Sequence, residues 1–599
     1  MRTFKRTLIA AAVTVACTTA GTASAQFSGA YTFGDSLADG GQFGYRFTTN
    51  PGLTAPEYVS QHWGITTTPS FQGGTNWAEG GALVNSPQGG LPPGVPDLSV
   101  MAQVNAQIAK GGLNPNAIYN IEGGGNDIRR QFTLYATGQI SQAQMQANVA
   151  QAAIDLATAT AKLQAAGARY IVLQAVPDMG RIPDVTKLGP AASAAFTSLS
   201  SLFDLTLNQA VGQAGLKVIQ FNSFQFITEL ATNPGAYGLT NVTSPACTTP
   251  TGGNCQPANL VAPNANMTYL FADGLHGTTG TYLIESAAIA SIIEAPQQMG
   301  ALAEAPLAVE QANWRTLDGR MQSGVNGPRS PGKLEAWAAY DYGAPDYSSG
   351  FMNGSGNVNT IAVGGDMKVS DKLLAGVMFN YSENKANLGG MDFKLTEPMM
   401  TFYAGYGDGP WYAGATLGAG GLDYSTTRNI ALGAATRTES GDTKGWQFVG
   451  RLIGGYWFKA GDLIHGPTVK LTYQEIRVRQ FSEYGSDSTA MTFGQQERKS
   501  FITSVGWQVA GQLGAIRPFA RATWEYEAKS DLRDVTASLT GMNGTLSVPA
   551  FKPDSNWANF NLGASTEFGK VTGYIQGSAT AGKSDGDNYG ITVGVRVPL

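Results

Sequence analysis

Hydrophobic positions follow two different rhythms along this chain. Between about Gln26 and Ala295, short β-rich runs alternate with longer helix-favouring stretches, the order that a parallel α/β fold requires. The runs Ala30–Phe33, Ala117–Ile121, Tyr170–Gln174 and Lys217–Phe221 read as strands. Ser141–Ala166 is rich in Ala, Gln and Leu with few breakers and reads as one long helix; Ala191–Gly212 and Thr279–Ala295 read as two more. Ala301–Met321 favours helix again, with Pro306 interrupting it, and the segment from Gly324 through Pro328, Pro331 and Gly332 is a cluster of breakers. A domain change is expected there.

Beyond it the period falls to two. Met400, Phe402, Ala404 and Tyr406 alternate with polar or small neighbours, Gly407-Asp408-Gly409-Pro410 makes a turn, and Trp411, Ala413, Ala415 and Leu417 resume the alternation. The last residues repeat the pattern most cleanly. Tyr589, Ile591, Val593, Val595, Val597 and Leu599 share one face, and Gly590, Thr592, Gly594, Arg596 and Pro598 the other. A tilted strand of this length spans a bilayer with its apolar face outward and its small or polar face toward a lumen. A soluble β-sandwich has the same period, but apolar residues at the very terminus favour the barrel. No segment has the 18 or so uninterrupted apolar residues of a membrane helix, since Tyr282–Ala295 carries Glu285 and Glu294.

Composition sharpens this division. A chain of 599 residues is too long for one ordinary core. Charged residues make up only 14%, and 77 Gly with 26 Phe, 23 Tyr and 10 Trp point to tightly turned β structure. The net charge of -5, with no basic tract, removes the electrostatic case for nucleic acid. Arg2, Lys5 and Arg6 precede an apolar stretch, and Ala23-Ser24-Ala25 is a small-residue cleavage site, so residues 1–25 read as a secretory signal. Export into an oxidising compartment favours a local disulfide between Cys247 and Cys255, which would pin a surface excursion and add little to global stability.

Candidate chemistry begins at Ser36, placed directly after the apolar run Tyr31-Thr32-Phe33 in a turn that Gly34 permits. A serine hydroxyl needs a base, and an ester carbonyl under attack needs donors for its oxyanion. Of three histidines, His465 lies in the β-rich half beside Gly466-Pro467, where a turn is expected, and His62 stands at an apparent helix end with a structural role. His276 alone has a carboxylate, Asp273, at a fixed short distance. Asp35 and Asp127 read as loop-holding residues, Arg129 and Arg130 as a solvated helix start, and Trp77 as either an acyl-site wall or a packing residue.

Gly34-Asp35-Ser36-Leu37, Asn76 to Ala82, Gly124-Gly125-Asn126-Asp127 and Asp273-Gly274-Leu275-His276 stand in the order of the four sequence blocks of the GDSL esterase/lipase, or SGNH hydrolase, family, which this region resembles. The resemblance implies a flavodoxin-like α/β/α sandwich with the serine at the carboxyl end of the first strand. It implies Ser36 as nucleophile, His276 as general base and then acid, and Asp273 as the residue that orients the imidazole. The backbone NH groups of Ser36 and Gly81 and the side-chain amide of Asn126 match the family's oxyanion-hole donors; Gly80 competes with Gly81 for that role. No metal or organic cofactor is implied.

A signal, a passenger of enzymatic size, a helix-favouring linker and a C-terminal β-barrel together resemble the layout of autotransporters, and a GDSL passenger resembles outer-membrane esterases of Gram-negative bacteria. That likeness implies a transmembrane barrel of twelve strands with the linker helix in its pore. It divides the chain into a signal at 1–25, a hydrolase passenger at 26–298, a helical linker at 299–332 and a barrel at 333–599. The implied partners are an ester or lipid substrate, the outer-membrane bilayer and the outer-membrane assembly machinery. Such barrels usually end in Phe or Trp, whereas this one ends in Leu599. The expected function is a surface-displayed serine esterase or lipase acting on fatty acyl esters; the rival is a catalytically silent adhesin or binding module on the same barrel.

Overall fold

A computed structural model describes residues 27–89, 97–322, 331–348, 352, 354–584 and 587–599. The signal at 1–25 and most of the breaker cluster at 324–332 lie outside the described residues.

The first domain is built on four parallel strands, β1 (Ala30–Phe33), β2 (Ile118–Ile121), β3 (Tyr170–Gln174) and β4 (Ile219–Phe221), paired in that order. On the free side of β1, Thr32 bridges Asn76 in parallel, with its NH donating to Thr75 O and its carbonyl accepting from Trp77. That short segment stands where a full strand would stand, so the chain runs outward in both directions from β1, as in a flavodoxin-like sheet. The strands are buried on both faces and read as continuous apolar runs for that reason.

Helices cover the sheet: α1 (Ala55–His62), α2 (Val100–Ala109), α3 (Gly125–Ala136), α4 (Gln142–Ala165), α5 (Pro190–Gln213), α6 (Ser223–Thr232) and α7 (Thr279–Gly300). Local chemistry sets their ends. Ser141 Oγ accepts from the Gln144 NH at the start of α4, Pro190 opens α5, and Thr278 Oγ1 accepts from the Thr281 NH before α7. The helices α4 and α5 pack on each other, α2 and α3 pack on α4, and α7 packs on α1. The core joins Phe33, Ile118, Ile121, Ile171, Leu173, Leu156 and Phe203, all closed to solvent.

After α7 and a short turn at Ala301–Ala303, α8 (Ala305–Gln322) follows. Pro306 does not interrupt this helix. It sits in the first turn, where no NH partner is needed.

Twelve described strands then close a barrel: β5 (Leu334–Ala344), β6 (Ser355–Lys368), β7 (Leu373–Asn387), β8 (Met391–Asp408), β9 (Trp411–Leu432), β10 (Ala435–Tyr456), β11 (Leu463–Val478), β12 (Gln496–Gly511), β13 (Ile516–Glu527), β14 (Asn556–Phe568), β15 (Val571–Ala581) and β16 (Tyr589–Pro598). Each pairs antiparallel with its neighbour in sequence, and β16 returns to β5, from Tyr589 opposite Ala344 to Pro598 opposite Glu335. Closure leaves no edge, which a bilayer demands because it offers no water to unpaired backbone groups.

Side chains alternate as the sequence predicts, with the polarity of a soluble protein reversed. Tyr589, Ile591, Val593 and Val595 face outward and exposed, while Thr592 and Arg596 are buried inside. At the β8–β9 turn, Asp408 pairs with Trp411 across Gly409-Pro410. Several strands exceed the ten or so residues expected: β9 and β10 each span 22. Their hairpin tip rises out of the barrel to the first domain, where Ala434 NH donates to Tyr237 O and Arg437 reaches Glu229. His465 lies in β11, paired with Val509, and not in a turn; it stacks beside Phe458 and Trp507 in an aromatic cluster with Trp411 and Tyr456 at the opposite end.

The helix α8 threads the barrel. Arg315 pairs with Asp341 on β5, Arg320 with Asp366 on β6, Glu310 with Arg451 on β10, and Asp318 with Arg521 on β13. Partners spread around the ring place the helix inside it.

Candidate active site

The site forms where chain segments leave the carboxyl edge of the first sheet. Ser36 follows β1, Gly81 follows the Thr75–Trp77 segment, Asn126 stands in the first turn of α3 just after β2, and the loop Asp273–His276 follows the short strand Tyr269–Phe271. Divergence of the chain on either side of β1 opens a crevice at this edge.

Ser36, Asp273 and His276 meet there, all three buried. Ser36 Oγ lies 2.8 Å from His276 Nε2, and His276 Nδ1 lies 2.7 Å from Asp273 Oδ2. The other carboxylate oxygen, Asp273 Oδ1, accepts from the NH groups of Leu275 at 2.8 Å and His276 at 2.7 Å. One side chain thus shapes its own loop and grips the imidazole. Burial alone would raise the Asp273 carboxyl; the charge and hydrogen bonds of His276 and the Leu275 NH outweigh it and hold it down at about 2. Phe47 lies against the imidazole with ring centres 5.0 Å apart.

The NH groups of Ser36 and Gly81 make no hydrogen bond among the described residues. Gly80 differs, since its NH donates to Asp39 Oδ2 at 2.9 Å, and this separates two glycines that sequence could not. Gly81 has φ +88°, a conformation a side chain would strain, and a Cβ there would collide with Gln88. Asn126 Nδ2 donates to Ala82 O at 3.1 Å and to Asp35 Oδ2 at 3.3 Å, both long bonds within the crevice.

The remaining candidates divide as their local chemistry dictates. Asp35 Oδ1 accepts from Leu37 NH and Asp127 Oδ2 from Val84 NH, so both hold loops. Trp77 donates to Gln107 and lies under Lys110, away from the crevice. His62 bonds Glu294 at 2.7 Å on the exposed side of α1 and α7. Arg130 is exposed and bonds only Pro87 O among the described residues.

Three contributors were not legible in the sequence. Glu122, at the end of β2, accepts from the Asp35 NH beneath the serine turn, and a Cβ on Gly34 would overlap its carboxyl. Burial pushes that carboxyl well above the ordinary range. Glu285 of α7 lines the cavity at the serine. Gly252 donates its NH to Asp273 Oδ2, the oxygen that also holds the imidazole. Gly252 belongs to the loop closed by the Cys247–Cys255 disulfide, both cysteines being buried. That loop is therefore no remote surface excursion; the only prior signal was its short spacing.

Comparison with known proteins agrees with both halves. Residues 31–287 match the GDSL-like Lipase/Acylhydrolase family and residues 336–578 the Autotransporter beta-domain. The chain joins a GDSL-like lipase/acylhydrolase domain to an autotransporter β-domain. It is a carboxylic ester hydrolase of the outer membrane, with its first domain exposed at the surface. Esterase EstA of Pseudomonas aeruginosa is 29% identical over 617 residues, covering 93% of this chain and 94% of that protein. Lipase 1 of Photorhabdus luminescens is 24% identical, covering 95% and 96%. Among solved structures, the translocator domain of autotransporter NalP from Neisseria meningitidis covers 50% of this chain and all of its own, at 17% identity and a TM-score of 0.40.

Proposed function

We propose that the lipase/acylhydrolase domain cleaves fatty acyl esters by a two-step acyl transfer carried by Ser36, His276 and Asp273. The observation that supports this reading most is the unbroken chain of contacts from Ser36 Oγ through both imidazole nitrogens to Asp273. In the first step Ser36 Oγ attacks the ester carbonyl as His276 Nε2 takes its proton, then passes that proton to the departing alcohol. Asp273 keeps the proton on Nδ1 and balances the imidazolium; its depressed carboxyl stays ionised throughout. The oxyanion is held by the NH groups of Ser36 and Gly81 and by the Asn126 amide, which turns from its long bonds to Asp35 and Ala82 toward the new charge. Water, activated by the same histidine, then hydrolyses the acyl-enzyme.

The division of labour along the chain is proposed as a passenger through α7, a linker in α8 and a barrel from about residue 333. Purified full-length Ser36→Ala in detergent micelles is expected to lose at least about 10³-fold in hydrolysis of a short acyl ester, together with labelling by a fluorophosphonate probe. Wild-type rates in that variant would sink the assignment, and absent labelling of the folded wild-type protein would favour the silent binding module.

A further inference from the structure

The cavity that opens at Ser36 runs between α1, α6 and α7, past the segment that follows β3. Its wall is largely apolar, with Leu37, Val176, Met179, Ile182, Ile227 and Leu270 prominent, as an acyl chain requires. Glu285 breaks this wall. Its carboxyl makes no hydrogen bond or ion pair among the described residues, unlike the other carboxylates around the serine. Asp273 holds the imidazole, Asp35 and Asp127 hold backbone NH groups, and Glu122 holds the Asp35 NH. Glu285 is only part-accessible, and it opens onto the cavity it lines. Burial, with no partner to oppose it, pushes this carboxyl up to about 7.

A buried carboxyl without a partner is costly, and the cost is recovered when a ligand supplies one. We infer that Glu285 is a specificity residue of the acyl pocket: it hydrogen-bonds a hydroxyl carried on the acyl chain, so that hydroxyacyl esters are the preferred substrate class. A hydroxyl suits this place because it donates to a carboxylate and accepts from a carboxylic acid, and Glu285 exists in both forms near neutral pH. The neighbouring Tyr282 hydroxyl is already engaged with Gly277 NH and Phe47 O, and the Ser223 hydroxyl is the neutral group of the wall that likewise lacks a partner among the described residues, which leaves Glu285 as the carboxyl there without one. This inference rests on Ser36 being the nucleophile.

The test uses full-length protein in micelles and esters of one alcohol and one chain length: unsubstituted, each mono-hydroxylated isomer, and an amine-bearing analogue. In wild type, kcat/KM for at least one hydroxylated isomer should exceed that of the unsubstituted ester by about 10- to 100-fold. In Glu285→Leu the order should reverse, because the unsubstituted chain gains an apolar wall and the hydroxyl loses its partner. Glu285→Gln, nearly isosteric, should keep part of the preference and decides the matter if the leucine variant loses fluorophosphonate labelling. Equal rates for all isomers in wild type, a preference that survives both substitutions, or a preference for the amine would overturn the inference while leaving the esterase reading intact. Failure to hydrolyse any ester would overturn both.

Discussion

The two halves of this molecule bury opposite things. The first domain hides Phe33, Ile121, Leu173 and Phe203 and turns polar helix faces to water. The barrel exposes Ile361, Phe402, Leu417, Leu452 and Leu562 and hides Asp341, Asn380, Gln447, Arg451 and Thr592. The same alternation serves both because only the solvent differs: one half contacts water outside, the other contacts lipid outside and a polar lumen inside. Their buried charges differ too. In the barrel, arginines and carboxylates meet in pairs such as Arg315–Asp341 and Arg428–Glu483. Among the described residues Glu122 and Glu285 of the first domain have no cationic partner, and Asp273 has the imidazole. Pairs such as Arg315–Asp341 locate a helix in the pore, whereas the carboxyls without cations in the first domain gather around the candidate site.

That contrast can be broken by substitution. The largest effect is expected at Asp273. Asp273→Asn should leave the fold intact and lower kcat by about 10³- to 10⁴-fold, because the imidazole loses its fixed tautomer; steady-state kinetics on a soluble ester would show it. In the barrel the corresponding loss is structural. Arg315→Met strands Asp341 in the lumen and should destabilise the barrel by about 3 to 5 kcal/mol, read as a lower temperature for the folded-to-unfolded shift in gel mobility, with kcat unchanged. Adding Asp341→Leu should restore most of that stability, and no recovery would mean the pair is not what seats the helix.

A smaller effect should follow opening of the disulfide. Cys247→Ser with Cys255→Ser frees the loop that aims the Gly252 NH at Asp273, and kcat should fall by about ten-fold, the value of one charge-assisted hydrogen bond. Barrel mobility on gels should not move.

The smallest expected effect is on the pH dependence of first-domain stability. Burial raises Asp127 to about 7, while the unfolded carboxyl titrates near 4. Between those values the folded state binds the extra proton, so stability rises as pH falls from about 7 toward 4. Asp273, held at about 2, acts in the opposite direction but only below about pH 4, where its stabilisation is lost. Calorimetry from pH 8 to 5 should therefore show the first-domain Tm increasing on acidification, with Asp127→Asn reducing the slope and the raised carboxyls of Glu79 and Glu285 keeping part of it. A Tm that declines over that range would contradict the buried-carboxyl account.

Local pattern carried much of this in advance. The runs at Ala30–Phe33 and Tyr170–Gln174 coincide with β1 and β3 because a strand buried on both faces must be apolar throughout. The helices α2 and α6 went unread, and α1 and α3 were glimpsed only as a helix end at His62 and a helix start at Arg129 and Arg130, because they are short or cover only part of the sheet, so their apolar positions are few. His465 was misplaced because Gly466-Pro467 spells a turn locally. Within β11, however, a Cβ on residue 466 would meet the Tyr456 carbonyl, so the glycine serves close strand approach.

By itself, then, the amino-acid order determined the two periodicities, the reversal of polarity between the halves and the residue types at the site, since each depends on neighbours within a few positions. Only the tertiary structure decided that Ser36 and His276 meet at 2.8 Å, that a disulfide loop reaches Asp273, and that, among the described residues, Gly81 and not Gly80 keeps its NH unbound and Glu285 faces the serine's cavity without a partner. Those facts depend on which distant segments the sheet edge and the closed barrel bring together, and no local pattern encodes a distance across the fold.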